Sequence, residues 1–230
     1  MDPQFKAIIF DLDGTLVDSA AIVELVMRRW CQENEIEYNL LKESSRSSRT
    51  EDTVRRAAPH LDSQREAEKI EATEREELVA LQEIRGAANF LKLIPRKQWA
   101  LATSSDSKTA RAKLRATGLL VPKVLIGSDN VENGKPHPEA YLSAAKNLGV
   151  LTRDCLVFED SNTGVSSAVA AGCSVVVVGA GHVDSGPQII GRIVDFEEID
   201  LIIGENSSLA VRFTKMVEQY VPLKSDRAGG

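Results

Sequence analysis

Two acids stand two residues apart in Phe10-Asp11-Leu12-Asp13-Gly14-Thr15, and two more stand together in Val157-Phe158-Glu159-Asp160-Ser161. Each pair directly follows a short apolar run. Carboxylates brought this close repel one another unless a cation lies between them, and an all-oxygen donor set suits Mg²⁺. A plainer reading of the first pair is a polar turn with Asp13-Gly14 at the bend. For the second it is a helix start capped by Ser161 or Asp160. Two such pairs at two strand ends are harder to explain as coincidental turns than one. Thr103-Ser104-Ser105 brings hydroxyl and main-chain N–H groups to a helix start, which suits an anion and equally suits simple capping. Lys135, in Gly134-Lys135-Pro136-His137-Pro138, is placed either to put positive charge on a phosphate oxygen or to sit solvated in its loop. His137, between two prolines, reads as structural.

The elements that must carry these residues are legible from the apolar pattern. The runs Ala7–Phe10, Trp99–Ala102, Val124–Ile126, Leu156–Phe158 and Ser174–Val178 are continuous, not alternating. That pattern suits strands buried on both faces of a parallel sheet. Helical segments fall between them: Ser107–Thr117 closed by Gly118, Pro138 to before Gly149, and Asn162–Ala171 closed by Gly172, with proline at the start and glycine after the end where the helix rules want them. Strand and helix in alternation predict an α/β fold, a doubly wound parallel sheet with a Rossmann-like core. In such sheets ligands bind at the carboxyl ends of the strands, where each motif above stands.

Residues 18–85 break the rhythm. They hold no buried-strand run, and half of residues 42–77 carry a charge. Ser19–Glu35, Thr50–Ala58 and Ser63–Leu81 read as helices with charged outer faces. We expect residues 1–17 and 86–230 to form the core, and 18–85 a small helical cap inserted after the first strand; extra helices packed on the sheet are the alternative. The tail from Lys224 to Gly230 is expected to fray.

A net charge of -6 and a pI of about 5.3 disfavour nucleic acid as a partner, because that needs a clustered basic surface. No apolar run has the length to span a bilayer and no basic amphipathic segment suits a membrane surface. The first residues lack the pattern of a signal peptide. Cys31, Cys155 and Cys173 are far apart and form no CxxC pair; they read as reduced thiols in a cytoplasmic protein. The chain is compatible with a monomer.

The ordered set Asp11-x-Asp13-Gly14-Thr15, Thr103, Lys135-Pro136 and Glu159-Asp160 resembles the four motifs of the haloacid dehalogenase-like phosphohydrolases, over residues 5 to about 200. Each motif alone is weak; together they are specific. The insert after the first motif resembles the helical cap of the beta-phosphoglucomutase-like branch. Pro95–Ser104, Val131–Glu139 and Val157–Asp160 are similar to the yeast glycerol-phosphate and 2-deoxyglucose-6-phosphate phosphatases, and Ile70–Glu74 to bacterial sugar phosphatases. The cap loop Glu43–Thr50 departs from such relatives.

The resemblance implies a Mg²⁺-dependent phosphatase acting on a small sugar or polyol phosphate monoester. Asp11 would be the nucleophile, forming an aspartyl-phosphate, and Asp13 the general acid and base. Thr103 and Lys135 would hold the phosphoryl oxygens. The metal would be held by Asp11, the carbonyl of Asp13 and Asp160, with Glu159 behind. Ser104, Ser105, Arg46 and Arg49 are candidate substrate contacts; the two arginines read as well as solvated loop residues. A phosphomutase of the beta-phosphoglucomutase type is the alternative enzyme. A non-catalytic binding protein on the same fold is disfavoured by the filled motif positions, and a dehalogenase would have no need of Asp13.

Overall fold

The computed structural model describes residues 3–42, 44–181 and 183–215. In chain order they form β1 (Ala7–Phe10), β2 (Val17–Asp18), α1 (Ala20–Glu33), α2 (Ser44–Ser47), α3 (Thr50–Ala57), α4 (Ser63–Glu76), β3 (Gln82–Glu83) and α5 (Ala87–Leu93). There follow β4 (Trp99–Ala102), α6 (Ser107–Ala116), β5 (Val124–Ile126), α7 (Glu139–Leu148), β6 (Cys155–Glu159), α8 (Asn162–Ala170), β7 (Ser174–Val178), β8 (Ile189–Ile193), β9 (Ile199–Ile203) and β10 (Leu209–Phe213). The tail expected to fray lies outside the described residues.

Six strands pair in parallel in the order β5-β4-β1-β6-β7-β8. The chain winds outward from β1 through β4 to β5, then returns to β6 on the other side and winds outward again. This is the doubly wound α/β sheet that the strand and helix pattern predicts. Its strands are apolar throughout because both faces are covered. Ile8, Phe10, Leu101, Leu156 and Phe158 pack with α5 and α6 on one side; Ala7, Ile9, Ala100, Ala102 and Val157 pack with α7 and α8 on the other. The five predicted strands are all present. Strands β8 to β10 add an edge and an antiparallel hairpin; their apolar residues are interrupted by Gly191, Arg192 and Asp200, which hides them from a search for continuous runs.

Register delivers the motifs to one edge. Phe10 pairs with Leu101 on one side and Phe158 on the other, and Ala102 pairs with Ile126. Asp11 and Glu159, the next residues, therefore stand side by side at this edge, Glu159 as the last residue of β6, with Thr103 directly after the end of β4. The Asp11 N–H donates to the Phe158 carbonyl at 3.0 Å, and that of Thr103 to the Ile126 carbonyl at 2.9 Å.

Among the described residues, four α-helices run between β2 and β3. The ends of this segment are joined by an antiparallel ladder pairing Val17 with Glu83 and Asp18 with Gln82, so the chain leaves and returns through one pair of strands. The three predicted helices are present as α1, α3 and α4. The expected charged outer face of α4 is present, with Arg65, Glu68, Lys69 and Glu76 exposed, while two further acids, Glu71 and Glu74, are buried and turn toward α6. The 18-residue-scale apolar helix of a membrane span has no counterpart among the described residues: no helix is long and apolar enough to cross. The three cysteines are free and buried.

Candidate active site

Asp11 sits just past β1, where a buried strand gives way to the turn Leu12–Val17. Gly14 makes that turn possible. Its φ of +81° is a left-handed conformation that favours glycine, and a Cβ there would meet the Asp160 Oδ2 at 2.1 Å. One glycine thus lets the two acid motifs approach.

Lys135 is the centre of a buried cluster. The expected alternatives were a phosphate-facing cation or a solvated loop lysine; at 7% exposure it is not solvated. Its Nζ donates to Asp11 Oδ1 at 2.6 Å, Glu159 Oε1 at 2.6 Å and the Ala102 carbonyl at 3.1 Å. Glu159 has both oxygens engaged. Oε1 also accepts from the Tyr141 hydroxyl at 2.9 Å, and Oε2 from the N–H groups of Asp160 and Ser161 at 2.9 and 3.1 Å. Gly164 leaves room for it, since a Cβ would lie 1.6 Å from Glu159 Oε1. Ser161 also caps α8, accepting from the Gly164 N–H at 3.1 Å, so the capping and acid-pair readings of this motif hold together.

Carboxylate oxygens of Asp11, Glu159 and Asp160 lie within 4.8 Å of one another. Burial pushes the Asp11 carboxyl up to about 7, with Lys135 pulling the other way. Burial and the charges of Glu159 and Asp11 push Asp160 up to about 9. Burial would also raise Glu159, but Lys135 and its hydrogen bonds outweigh it and hold the group below its ordinary value. No described residue donates a hydrogen bond to the Asp160 carboxylate. One lysine among three carboxylates leaves excess negative charge, the condition that a divalent cation relieves.

A second cluster surrounds Asp13. Its Oδ1 accepts from Lys113 Nζ at 2.6 Å and from the Ser19 hydroxyl, and its Oδ2 from the Ser105 hydroxyl at 2.9 Å. Burial alone would raise Asp13; Lys113 and these hydrogen bonds carry it below its ordinary value. The Asp13 carboxylate is thus held by donors other than those of Asp11 and Glu159.

These residues open into a pocket of about 650 Å³, mouth included. Thr103, Ser104 and Ser105 line it from the sheet side. They are spared the duty of capping α6, because Asp106 does it, accepting from the Thr109 N–H at 2.7 Å. The opposite wall comes from α1 to α4: Val26, Met27 and Ile70 are apolar, and Ser47, Ser48, Thr50 and Thr53 bring hydroxyls. Ser104 donates to the Ser47 carbonyl at 3.2 Å across the mouth.

A model of the haloacid dehalogenase-like hydrolase family matches residues 5–172. Hexitol phosphatase A of Escherichia coli (strain K12) is 37% identical over 90% of this chain and 94% of its own length. The chain belongs to the haloacid dehalogenase-like hydrolases. It is an enzyme, and its named relatives are phosphatases: glycerol-1-phosphate phosphohydrolase 2 of Saccharomyces cerevisiae is 28% identical over 74% of this chain and 73% of its own. Among solved structures, a beta-phosphoglucomutase from Clostridium difficile shares the fold with a TM-score of 0.68, at 24% identity, covering 76% of this chain and 85% of that one.

Within this haloacid dehalogenase-like hydrolase, two expected contacts are placed elsewhere or not described. Arg49 turns out of the pocket. It pairs with Asp52 at 2.6 Å and donates to the carbonyls of Val131 at 3.3 Å and Glu132 at 3.0 Å, so it is neither a wall of the pocket nor a solvated residue. The side chain of Arg46 lies outside the described residues. His137 is exposed, beside Glu139, and does not line the pocket. Four polar neighbours escaped the sequence: Ser19, Glu74, Lys113 and Tyr141. Only Ser19 carries a local signal, standing just past Asp18 where α1 begins.

Proposed function

We propose that the protein is a Mg²⁺-dependent phosphatase that hydrolyses small sugar or polyol phosphate monoesters through an aspartyl-phosphate on Asp11. One observation carries this reading: the buried Asp11, with one oxygen on Lys135, stands beside Asp160 at the floor of a pocket roofed by the helices of the insert. We take residues 18–85 as a cap domain on a core of 1–17 and 86–230, joined through the β2–β3 ladder.

The donor set fits the metal. Asp11, Asp160 and the main-chain carbonyl of Asp13 would hold Mg²⁺, with Glu159 orienting the group from behind. When bound, the ion supplies neutralisation of the charge that gathers on the phosphoryl oxygens. In the first half-reaction an Asp11 carboxylate oxygen bonds to phosphorus as the ester P–O bond breaks, and the leaving oxygen takes a proton from Asp13, which is ionised against Lys113 in the free site and gains that proton as the phosphate ester binds beside it. In the second, Asp13 takes a proton from water, the water oxygen bonds to phosphorus, and Asp11 is released with inorganic phosphate. Lys135 and the Thr103 hydroxyl steady the phosphoryl oxygens. Ser104 and Ser105 lie where the ester can meet them. The hydroxyl-bearing wall of α2 and α3 suits a polyol, and the names of the two phosphatase relatives point the same way. The free, buried thiols suit a reducing cytoplasm.

The test is a panel of hexose, hexitol, glycerol and nucleotide monophosphates, scored by phosphate released with and without Mg²⁺. Hexitol or glycerol phosphates should lead. A requirement for a sugar bisphosphate activator, with the phosphoryl group returned to sugar, would make the enzyme a mutase. A leading nucleotide would overturn the substrate class.

A further inference from the structure

Lys113 lies in the middle of α6, and nothing in its sequence neighbourhood marks it. It is 1% exposed and sits on the inward face of the helix between the buried Ala110 and Leu114. Its ammonium meets three segments that are far apart in the chain. It donates hydrogen bonds to Asp13 Oδ1 at 2.6 Å in the turn after β1 and to Ser105 Oγ at 3.1 Å after β4, and it forms an ion pair with Glu74 Oε1 at 2.7 Å on α4 of the insert.

We propose that Lys113 is a positioning residue for the Asp13 carboxylate, and that Glu74, sharing the same ammonium, ties that position to the cap helix α4. The inference rests on the acid–base reading of Asp13 given above.

The packing of α6 does not need a lysine there. With apolar residues in place of the whole Lys113, Asp13 and Glu74 cluster, the same space could be filled without taking an ammonium and two carboxylates out of water, a replacement that often stabilises such a site. The lysine is better accounted for by what it holds. With Ser19 and Ser105 it engages both oxygens of Asp13 from three segments, which leaves the carboxylate one orientation. A group that passes a proton must stand within hydrogen-bond reach of the reacting oxygen, and a displacement of about 1 Å can cost about 10²-fold. Glu74 is the one of these contacts that comes from the insert helix α4. It reaches Asp13 only through Lys113, so any shift of α4 against the core changes how the ammonium is shared between the two carboxylates.

Leaving-group dependence separates positioning from simple structure. The value of kcat/KM reports the first phosphoryl transfer, in which an alkoxide needs a proton and an aryl oxide with a good leaving group does not. Purified Lys113→Met, Glu74→Gln, the double variant and Asp13→Asn would be compared with the parent on a hexitol phosphate and on 4-nitrophenyl phosphate. We expect Lys113→Met to lower kcat/KM by about 10–100-fold on the hexitol ester and several times less on the aryl ester, following the pattern of Asp13→Asn. Glu74→Gln should give the same selectivity at a few-fold. If Lys113→Met does not fold, the double variant, which removes both partner charges at the α4–α6 contact, carries the same test. Equal losses on both esters in the variant that folds would overturn the proposal. An unchanged ratio in Glu74→Gln would overturn the link to α4. If Asp13→Asn itself loses both activities equally, the acid–base reading falls and this proposal with it; if Asp13→Asn is selective and Lys113→Met is not, the proposal alone falls.

Discussion

Two buried lysines each hold two carboxylates, Lys135 between Asp11 and Glu159, and Lys113 between Asp13 and Glu74. The chemistry is the same, but the mechanics differ. Asp11 and Glu159 stand at the carboxyl edge of one parallel sheet, set by the register of β1 and β6, and Lys135 reaches them from the loop before α7. Burial there is matched by donors on Asp11 Oδ1 and on both oxygens of Glu159. The Lys113 cluster instead spans the turn after β1, the core helix α6 and the insert helix α4. Its geometry depends on how the insert sits on the core. A pair within the sheet edge suits charge that must be ready before substrate arrives, and a bridging pair suits a group whose orientation follows the helices between β2 and β3.

The largest effect should come from breaking the pair at the sheet edge. Lys135→Met leaves Asp11 and Glu159 without their cation, and loss of one partner of a buried pair costs about 3–5 kcal/mol. We expect a clear fall in Tm together with loss of turnover. Asp11→Asn should abolish phosphate release while leaving Tm close to that of the parent, since the amide still accepts from Lys135. Turnover within a few-fold of the parent in Asp11→Asn would refute its role.

Next in size is the metal. Chelator-treated protein should lose its activity and regain it with Mg²⁺, while Ca²⁺, which takes more ligands at longer distances, should restore little. Full phosphate release in excess chelator would remove the cation from the mechanism.

The bridging side can be sharpened through a neighbouring acid pair. Glu71 on α4 faces Asp106 at the start of α6; burial, then the hydrogen bond to Asp106, push it up to about 9 from an ordinary 4.5. The folded protein therefore keeps a proton that the unfolded chain releases. That contribution to stability is complete below about pH 4.5 and is lost as pH rises toward 9. Glu71→Gln replaces the protonated acid with an amide that also donates to Asp106. Its Tm should exceed the parent's by several degrees near pH 8.5 and match it near pH 5; a gain independent of pH would count against the shared proton.

The smallest effect belongs to Arg49. It links the insert to the loop carrying Lys135 through the carbonyls of Val131 and Glu132, not through the pocket. Arg49→Ala should raise KM by less than about tenfold, the scale of a partly exposed ion pair, and leave the substrate ranking in place. A reordered ranking in the phosphate panel would put Arg49 in contact with substrate.

Sequence alone determined the sheet and its active edge. Strands buried on both faces must be apolar throughout, and each of the first four core strands ends in a chemistry-bearing residue or lies beside one that does, so Asp11, Thr103, Lys135, Glu159 and Asp160 were legible as a set. The need for Gly14 was also written locally, in a turn that only glycine makes easily. What tertiary structure alone decided is which polar residues of the helices turn inward. Half of residues 42–77 are charged, and a helix in which charge is frequent on every side has no period that marks the buried members. Glu71, Glu74 and Lys113 are inside because α4 and α6 face each other, a pairing set by how the insert folds back on the core. Arg49 left the pocket for the same reason: its partners, the carbonyls of Val131 and Glu132, lie more than eighty residues away, and a main-chain carbonyl carries no signature in sequence.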